Sequence, residues 1–491
     1  MSSNNSSSNL TAGFIDLATY DETEKYLYGG DSSVSYFLKK LRKSTWFTVV
    51  PTVLSISGGS PSFGGSWGYK VSRAGDYLLR TWLRVQLPEV TLNITATGLE
   101  TVPAAQQNLA LRWTRNIGHN LIREINIAFN DLVAERMDSY FLDFWSAFTL
   151  PAGKNNGYQN MIGNIAQLNN PTSITSLPSI SQIPSAILNI PLPFFYQRDT
   201  GVALPTAAIP YNEMIHNVYF REISEVLIVD DFNLYGVANP NGQQSFACQS
   251  SWLVSAPVLK VDMWAEYAIV ANVERSQMGK APRDILIEQV QTAPKGQFIA
   301  SSTSASINSD IRFSHAIKAL FFAVANKTNP AERSNYTAGS PVAASIGTVQ
   351  FSPFFASDPI SQTSLLYENT ARLVNMGSDY FSLIVPYYTA VSIPLDTGYH
   401  LISYTLNLVA TNPMGSTNYG KLTNVSLQFS PSVDAVASAA AVNANAAAIA
   451  GVPSTTVLDG AALPQQFESI VVGLNHNIIR ISGGALGFPV L

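Results

Sequence analysis

Two stretches of the 491-residue chain carry spacings that enzymes use. Gly64-Gly65-Ser66-Trp67-Gly68 fits G-x-S-x-G, the turn that presents a nucleophilic serine. That chemistry needs the serine on a sharp strand-to-helix turn, with an acid and a histidine following in chain order. Here the motif lies in a Gly/Ser/Pro-rich stretch and runs into Tyr69-Lys70-Val71, so a glycine-rich hairpin is expected instead. Gly415-Ser416-Thr417-Asn418-Tyr419-Gly420-Lys421 has the G-x-x-x-x-G-K frame of a phosphate-cradling loop. The Mg²⁺-binding hydroxyl must follow the lysine, and Leu422 supplies none.

Other reactive side chains are scattered. His119, His216, His315, His400 and His476 show no metal spacing such as H-E-x-x-H. His119 and His315 head two similar blocks, which points to a shared structural role. Asp230-Asp231 reads as a solvated turn. Cys248 is the single cysteine and reads as a buried or loop thiol; it leaves no intramolecular disulfide or cysteine metal cage, which fits a reducing compartment. Seven N-x-S/T sequons begin at Asn4, Asn5, Asn9, Asn93, Asn326, Asn335 and Asn424. The Ser/Asn-rich start lacks the pattern of a secretory signal, so these sequons are expected to stay unmodified. The expected result is no catalytic residue, no cofactor and no metal site.

Composition favours assembly. Hydrophobic residues make up 46% of the chain and charged residues only 12%, about half the usual quarter. Such a surface is expected to be covered by large obligate interfaces. A net charge of −5 lacks the basic excess that wrapping nucleic acid requires. The basic cluster Lys39, Lys40, Arg42 and Lys43 precedes Trp46-Phe47 and suits either a solvated strand entry or an anionic layer. The alanine-rich stretch 435–452 is broken by Asn443 and Asn445 and is not expected to span a bilayer.

The elements behind these motifs read as strands. Stretches 46–56, 77–87, 121–129, 218–229, 285–290, 317–324, 401–409 and 425–429 are rich in Val, Ile, Leu, Tyr and Phe and are bounded by turn residues. Helices of 10–15 residues do not alternate with them, so antiparallel sandwiches are expected. Ahead of them, Thr19 and Glu22 have capping-box spacing for a short helix. A weak repeat pairs the block from His119 to Phe129 with that from His315 to Ala325, displaced by 196 residues. Asp138-Ser139-Tyr140-Phe141 echoes Ser378-Asp379-Tyr380-Phe381 at a displacement of 240. The difference of 44 implies one hairpin built twice, with a long outward-facing excursion over 326–364 in the second copy. Tyr211, Asn217 and Val218 echo Tyr419, Asn424 and Val425. The domains expected are a tail and helix over 1–28, a first sandwich over 29–225 and a second over 226–491.

Several segments resemble the major capsid proteins of iridoviruses: Phe14-Ile-Asp-Leu-Ala-Thr-Tyr20, Ser72-Arg-Ala-Gly-Asp-Tyr-Leu-Leu79, Pro191-Leu-Pro-Phe-Phe195, the run from Ala203 to Glu213, Gly415 to Gly420, and Asn477 to Leu491. The resemblance runs from the first helix to the last residue. It implies an all-β double jelly roll, two tandem eight-stranded sandwiches with short helices in loops. It also implies homotrimeric capsomers, nearly hexagonal because six sandwiches ring each one. These pack with neighbouring capsomers and minor cement proteins into an icosahedral virion shell over an inner membrane, which the N-terminal region would face. Direct nucleic-acid contact is not implied, and assembly in the host cytoplasm is. Departures from the family pattern fall in 167–185 and 435–452. The alternative reading is a carbohydrate- or receptor-binding sandwich, for which Tyr387-Tyr388 is the one tempting exposed pair.

Overall fold

The computed structural model describes residues 10–97, 109–169, 172–173, 182–231, 244–280, 282–301, 306–339, 358–449 and 466–488. The chain forms two compact units, residues 1–46 and 47–491. The first holds helices α1 (Leu10–Ala18) and α2 (Glu22–Leu27), neither with a buried residue. The capping box lies at Asp21 and Glu24, not at Thr19 and Glu22. The Asp21 amide donates to the Glu24 carboxylate at 3.2 Å, while the Thr19 hydroxyl closes the end of α1 on the Asp16 carbonyl.

The second unit is built from strands. In chain order they are β1 (Phe47–Val53), β2 (Ser55–Ser57), β3 (Ser66–Lys70), β4 (Tyr77–Leu87), β5 (Leu109–Trp113), β6 (Ile122–Phe129), β7 (Leu132–Asp138), β8 (Ala186–Pro191), β9 (Met214–Phe220), β10 (Leu227–Asp231), β11 (Gln244–Ala247) and β12 (Lys260–Val270). After a short helix, Asn272–Met278, come β13 (Arg283–Thr292), β14 (Ile307–Ile311), β15 (Ala316–Asn326), β16 (Ile360–Tyr367), β17 (Thr370–Gly377), β18 (His400–Ser403), β19 (Val425–Pro431) and β20 (Phe467–Ser482). Strands such as β4 and β9 alternate buried and exposed residues, the mark of a sheet with one covered face.

Both halves have one topology. In the first, β1-β12-β4-β8 forms one sheet and β2-β3-β9-β6-β7 the other; in the second, β13-β20-β15-β18 faces β14-β19-β16-β17. With β2 set aside as a continuation of β1, and with β5, β10 and β11, which pair in a separate small sheet, also set aside, each half has eight main strands among the described residues. Counted in chain order, their sheet orders are 1-8-3-6 and 2-7-4-5 in both halves. That double Greek key is a jelly roll.

The topology corrects three expectations. First, a boundary at 225/226 would cut the sheets: β12 pairs with β4 and β1, and β10 pairs with β5. The pairing changes halves only across Asn272–Met278. Second, the stretch 218–229 is two strands, because the turn Ile223–Glu225 separates β9 from β10. Third, the repeat is real but the first pair of blocks is mismatched. His119 leads into the fourth main strand of its half and His315 into the third, which lie in different sheets. The true partner of the β6–β7 hairpin is β16–β17. Its turn residues Glu368 and Asn369 have φ of 49° and 66°, matching Asn130 and Asp131 at 46° and 67°. Two residues in the left-handed region are what a tight I′ hairpin requires. The second half therefore carries no extra excursion: 34 residues (88–121) join its third and fourth strands in the first half, and 33 (327–359) in the second.

Three longer helices complete the unit: α3 (Ser139–Thr149), α4 (Ala152–Ile162) and the alanine-rich α5 (Val433–Ile449). Among the described residues no helix is long and apolar enough to cross a membrane.

Candidate functional site: the seam between the sandwiches

Phe141, Phe144 and Phe148 recur at spacings of three and four, so they lie on one face of α3. That face is driven between the sandwiches. Phe144 and Phe148 stack on Phe321 of β15 at 5.9 and 5.6 Å, and Phe144 meets Tyr336 and Tyr399 at 5.6 and 5.8 Å. One buried apolar cluster consequently runs from Leu83 and Ile125 of the first half to Phe321 and Val472 of the second.

Polar groups stitch the same seam. Asp143 accepts from the Tyr336 hydroxyl at 2.9 Å and from Ser334, and contacts His119 Nδ1 at 2.7 Å. Arg333 donates to the Glu225 carbonyl and carboxylate at 2.9 and 2.7 Å. Arg112 is fully buried, with Nε 2.7 Å from Asp230 and Nη2 3.5 Å from Glu332. Burial pushes the Glu332 carboxyl above its ordinary range, against the pull of Arg112. Within the second half, beside the seam, Lys318 pairs with Glu288 and donates to the Ala410 carbonyl at 2.6 Å. Each of these buried charges thus has a partner, as burial demands.

The seam overturns two expectations. Asp230 is no solvated turn: it is a buried strand residue held by Arg112 and Ser245. The segment 326–364 does not simply face outward either, since its Asn329, Glu332, Ser334, Asn335, Tyr336 and Thr337 are buried. Residues 340–357 of that segment lie outside the described residues.

The remaining candidate residues find structural places. Ser66 opens β3 opposite Tyr219, so the strand-to-helix elbow is not formed. Gly415 has φ of +125°, and Tyr419–Lys421 is a short helical turn leading to β19, not a phosphate loop. His119 and His315 are not equivalent. The first is buried between Asp143 and Tyr158, while the second sits at φ 64° with its carbonyl accepting from the Tyr419 amide. His216 accepts or donates at the Tyr196 hydroxyl, 3.0 Å away, and burial pushes its imidazole down to about 3. His400 bonds Asp358 and Ser378 through Nε2 at 2.8 and 2.7 Å. His476 is also lowered by burial. Burial pushes the Cys248 thiol up to about 12, far from the thiolate that reactivity needs. Asn326 and Asn335 are buried and bonded to Thr328 and Thr337 of their own sequons, while Asn4, Asn5 and Asn9 lie outside the described residues. No group of three or more His, Cys, Asp or Glu suited to a metal occurs among the described residues. Tyr387 and Tyr388 are exposed and meet edge to face at 5.0 Å.

The surface carries a second feature. Strand β1 ends its sheet, and six of its seven residues are exposed, Phe47, Val49, Val50 and Val53 among them. Pro51 interrupts its amide row, as edge strands tolerate.

Two jelly rolls of one topology, joined through a common core, define the double jelly-roll class of capsid proteins. Comparison with known proteins gives the same answer. A family model for the large eukaryotic DNA virus major capsid protein matches residues 274–487, and one for the major capsid protein N-terminus matches 35–270. The major capsid protein of Costelytra zealandica iridescent virus is 55% identical over 99% of both chains; that of Frog virus 3 is 40% identical over 99% of both. The structure of PBCV-1 VP54 fitted into a reconstruction of the virophage Sputnik superposes with a TM-score of 0.67 at 20% identity, over 93% of this chain and 100% of that one. The Faustovirus major capsid protein gives 0.63 at 10% identity, over 92% and 93%. The chain belongs to the major capsid proteins of large eukaryotic DNA viruses, and its place is the capsid shell of the virion.

Proposed function

We propose that three copies close head to tail into a capsomer whose six sandwiches make a nearly hexagonal tile. The observation that carries this reading is β1: an edge strand with exposed apolar residues on both faces is incomplete in a lone chain. The low charged fraction supports it, because obligate interfaces bury on the order of 2,000–5,000 Å². A heterologous contact that closes after three copies leaves no free end. Light scattering of the purified protein is expected to give about three times the 53.1 kDa chain mass; a monodisperse monomer at micromolar concentration would sink the proposal.

The N-terminal unit is proposed to face the inner membrane. Its helices expose Leu10, Phe14, Ile15 and Leu17, and Lys39, Lys40, Arg42 and Lys43 follow as an exposed basic run. Basic residues near an anionic bilayer contribute roughly 1 kcal/mol each. Replacing all four by glutamine is expected to leave trimers intact and lower the yield of membrane-containing particles, counted by electron microscopy. Particles at normal yield would reject the orientation. Assembly in the host cytoplasm, with minor cement proteins between tiles, completes the reading.

A further inference from the structure

A cleft of about 650 Å³ opens beside the seam, between α3, α4 and the chain after β8, with Val409 of the second half on its wall. Arg198 forms part of its lining, with a side chain only 5% exposed. Its guanidinium carbon lies over the Trp145 ring, 3.6 Å from the centroid. None of its three nitrogens has a hydrogen-bond partner among the described residues, and the nearest carboxylate oxygen, on Glu288, is 3.7 Å away. A buried guanidinium with its donors unmet is costly, and an anionic acceptor would relieve it.

The local charge balance points the same way. Glu288 is already held by Lys318. Glu135 is the other carboxyl facing Arg198, and burial pushes it up to about 8, so it is largely neutral at pH 7. Two cations then face one carboxylate. Helix α4 adds a third observation: Gly153 and Gly157, one turn apart, both line the cleft, and a Cβ at either would meet nothing within 4 Å. Glycine is a poor helix former, so two of them on this face keep the space open at a cost to the helix.

We propose that the cleft binds a small amphiphile with a single anionic head, a carboxylate or phosphate monoester, paired with Arg198. The apolar body lies along Trp145, Met161 and Pro193, and the exposed Lys154 stands at the rim. This site does not depend on how copies assemble.

Calorimetric titration of the purified protein with octanoate, octyl phosphate and uncharged octanol tests it. Both anions are expected to bind at least tenfold more tightly than octanol. Arg198→Met is expected to erase that preference, and Gly157→Leu to abolish binding by filling the cleft, with its melting temperature retained. Equal binding of octanol and octanoate overturns the proposal, as does undiminished octanoate binding by Gly157→Leu, which decides the matter if Arg198→Met does not fold. A carboxylate from a neighbouring chain resting on Arg198 in assembled shells would also overturn it, assigning the cleft to a lattice contact.

Discussion

Replacing Arg112 by methionine is expected to destabilise the chain by about 3–5 kcal/mol, the usual consequence of breaking a buried ion pair from one side. Methionine fills much the same volume but leaves Asp230, itself fully buried, facing only Ser245 and its remaining polar neighbours. It also removes the cation beside Glu332, so both halves of the molecule lose an anchor in one substitution. The double variant Arg112→Met, Asp230→Asn should recover most of the loss, because it removes the orphaned charge. Denaturant midpoints of the single and double variants decide the matter. A single variant within 1 kcal/mol of the parent, or no recovery in the double, would show that the pair does not hold the seam.

Glu135 should make the protein less stable on the alkaline side of neutrality. Its carboxyl is buried in β7, accepts from the Phe195 amide at 2.8 Å, and is pushed up to about 8 by burial, partly opposed by Arg198. An acid whose folded pKa exceeds its unfolded value near 4.3 holds its proton more tightly when folded. Its contribution is fully present below the unfolded value and is lost as pH rises toward the folded one, at about 1.4 kcal/mol per unit. His216 acts in the opposite sense. Burial pushes it down to about 3, so its contribution is lost as pH falls below about 6.5. The two slopes offset one another between about pH 4.5 and 6.5, leaving a decline of roughly 2 kcal/mol between pH 6.5 and 8. Denaturation at pH 6.5 and 8.5 should show that decline in the parent and its absence in Glu135→Gln. Equal declines in both proteins would refute the assignment.

Much of the architecture was legible because sandwich strands write their burial into the sequence. Tyr77–Leu87 alternates strictly enough to be found, and residues 319–325 within β15 are an unbroken apolar run. The same property obscures the repeat. A buried strand of either sheet is an apolar run, so matching the run after His119 to the run after His315 cannot distinguish the sheets. Turn chemistry could have, but Glu368-Asn369 hides it, since glutamate rarely sits at positive φ. Strand β12 belongs to the first half although it lies beyond β10 and β11, because a jelly roll returns its last strand to the middle of a sheet. No local pattern announces such a return, and the boundary at 225/226 fails for that reason. Asp230 is hidden similarly: two adjacent aspartates resemble a turn until a distant arginine is known to meet one. The resemblance to iridovirus proteins carries the function; the seam residues Arg112, Asp143, Arg198 and Glu332 are separated too widely to be read as a group.

The shared core of the two sandwiches has a mechanical consequence. With Phe144 and Phe148 wedged against Phe321, and the ion pairs Arg112–Glu332 and Arg333–Glu225 crossing the seam, the polypeptide has no hinge between its halves. Interiors packed in this way deform little and transmit strain. Curvature in a lattice of such chains must therefore be taken up where one chain meets the next, so flat facets with sharp creases suit this building block better than a smoothly bent sheet.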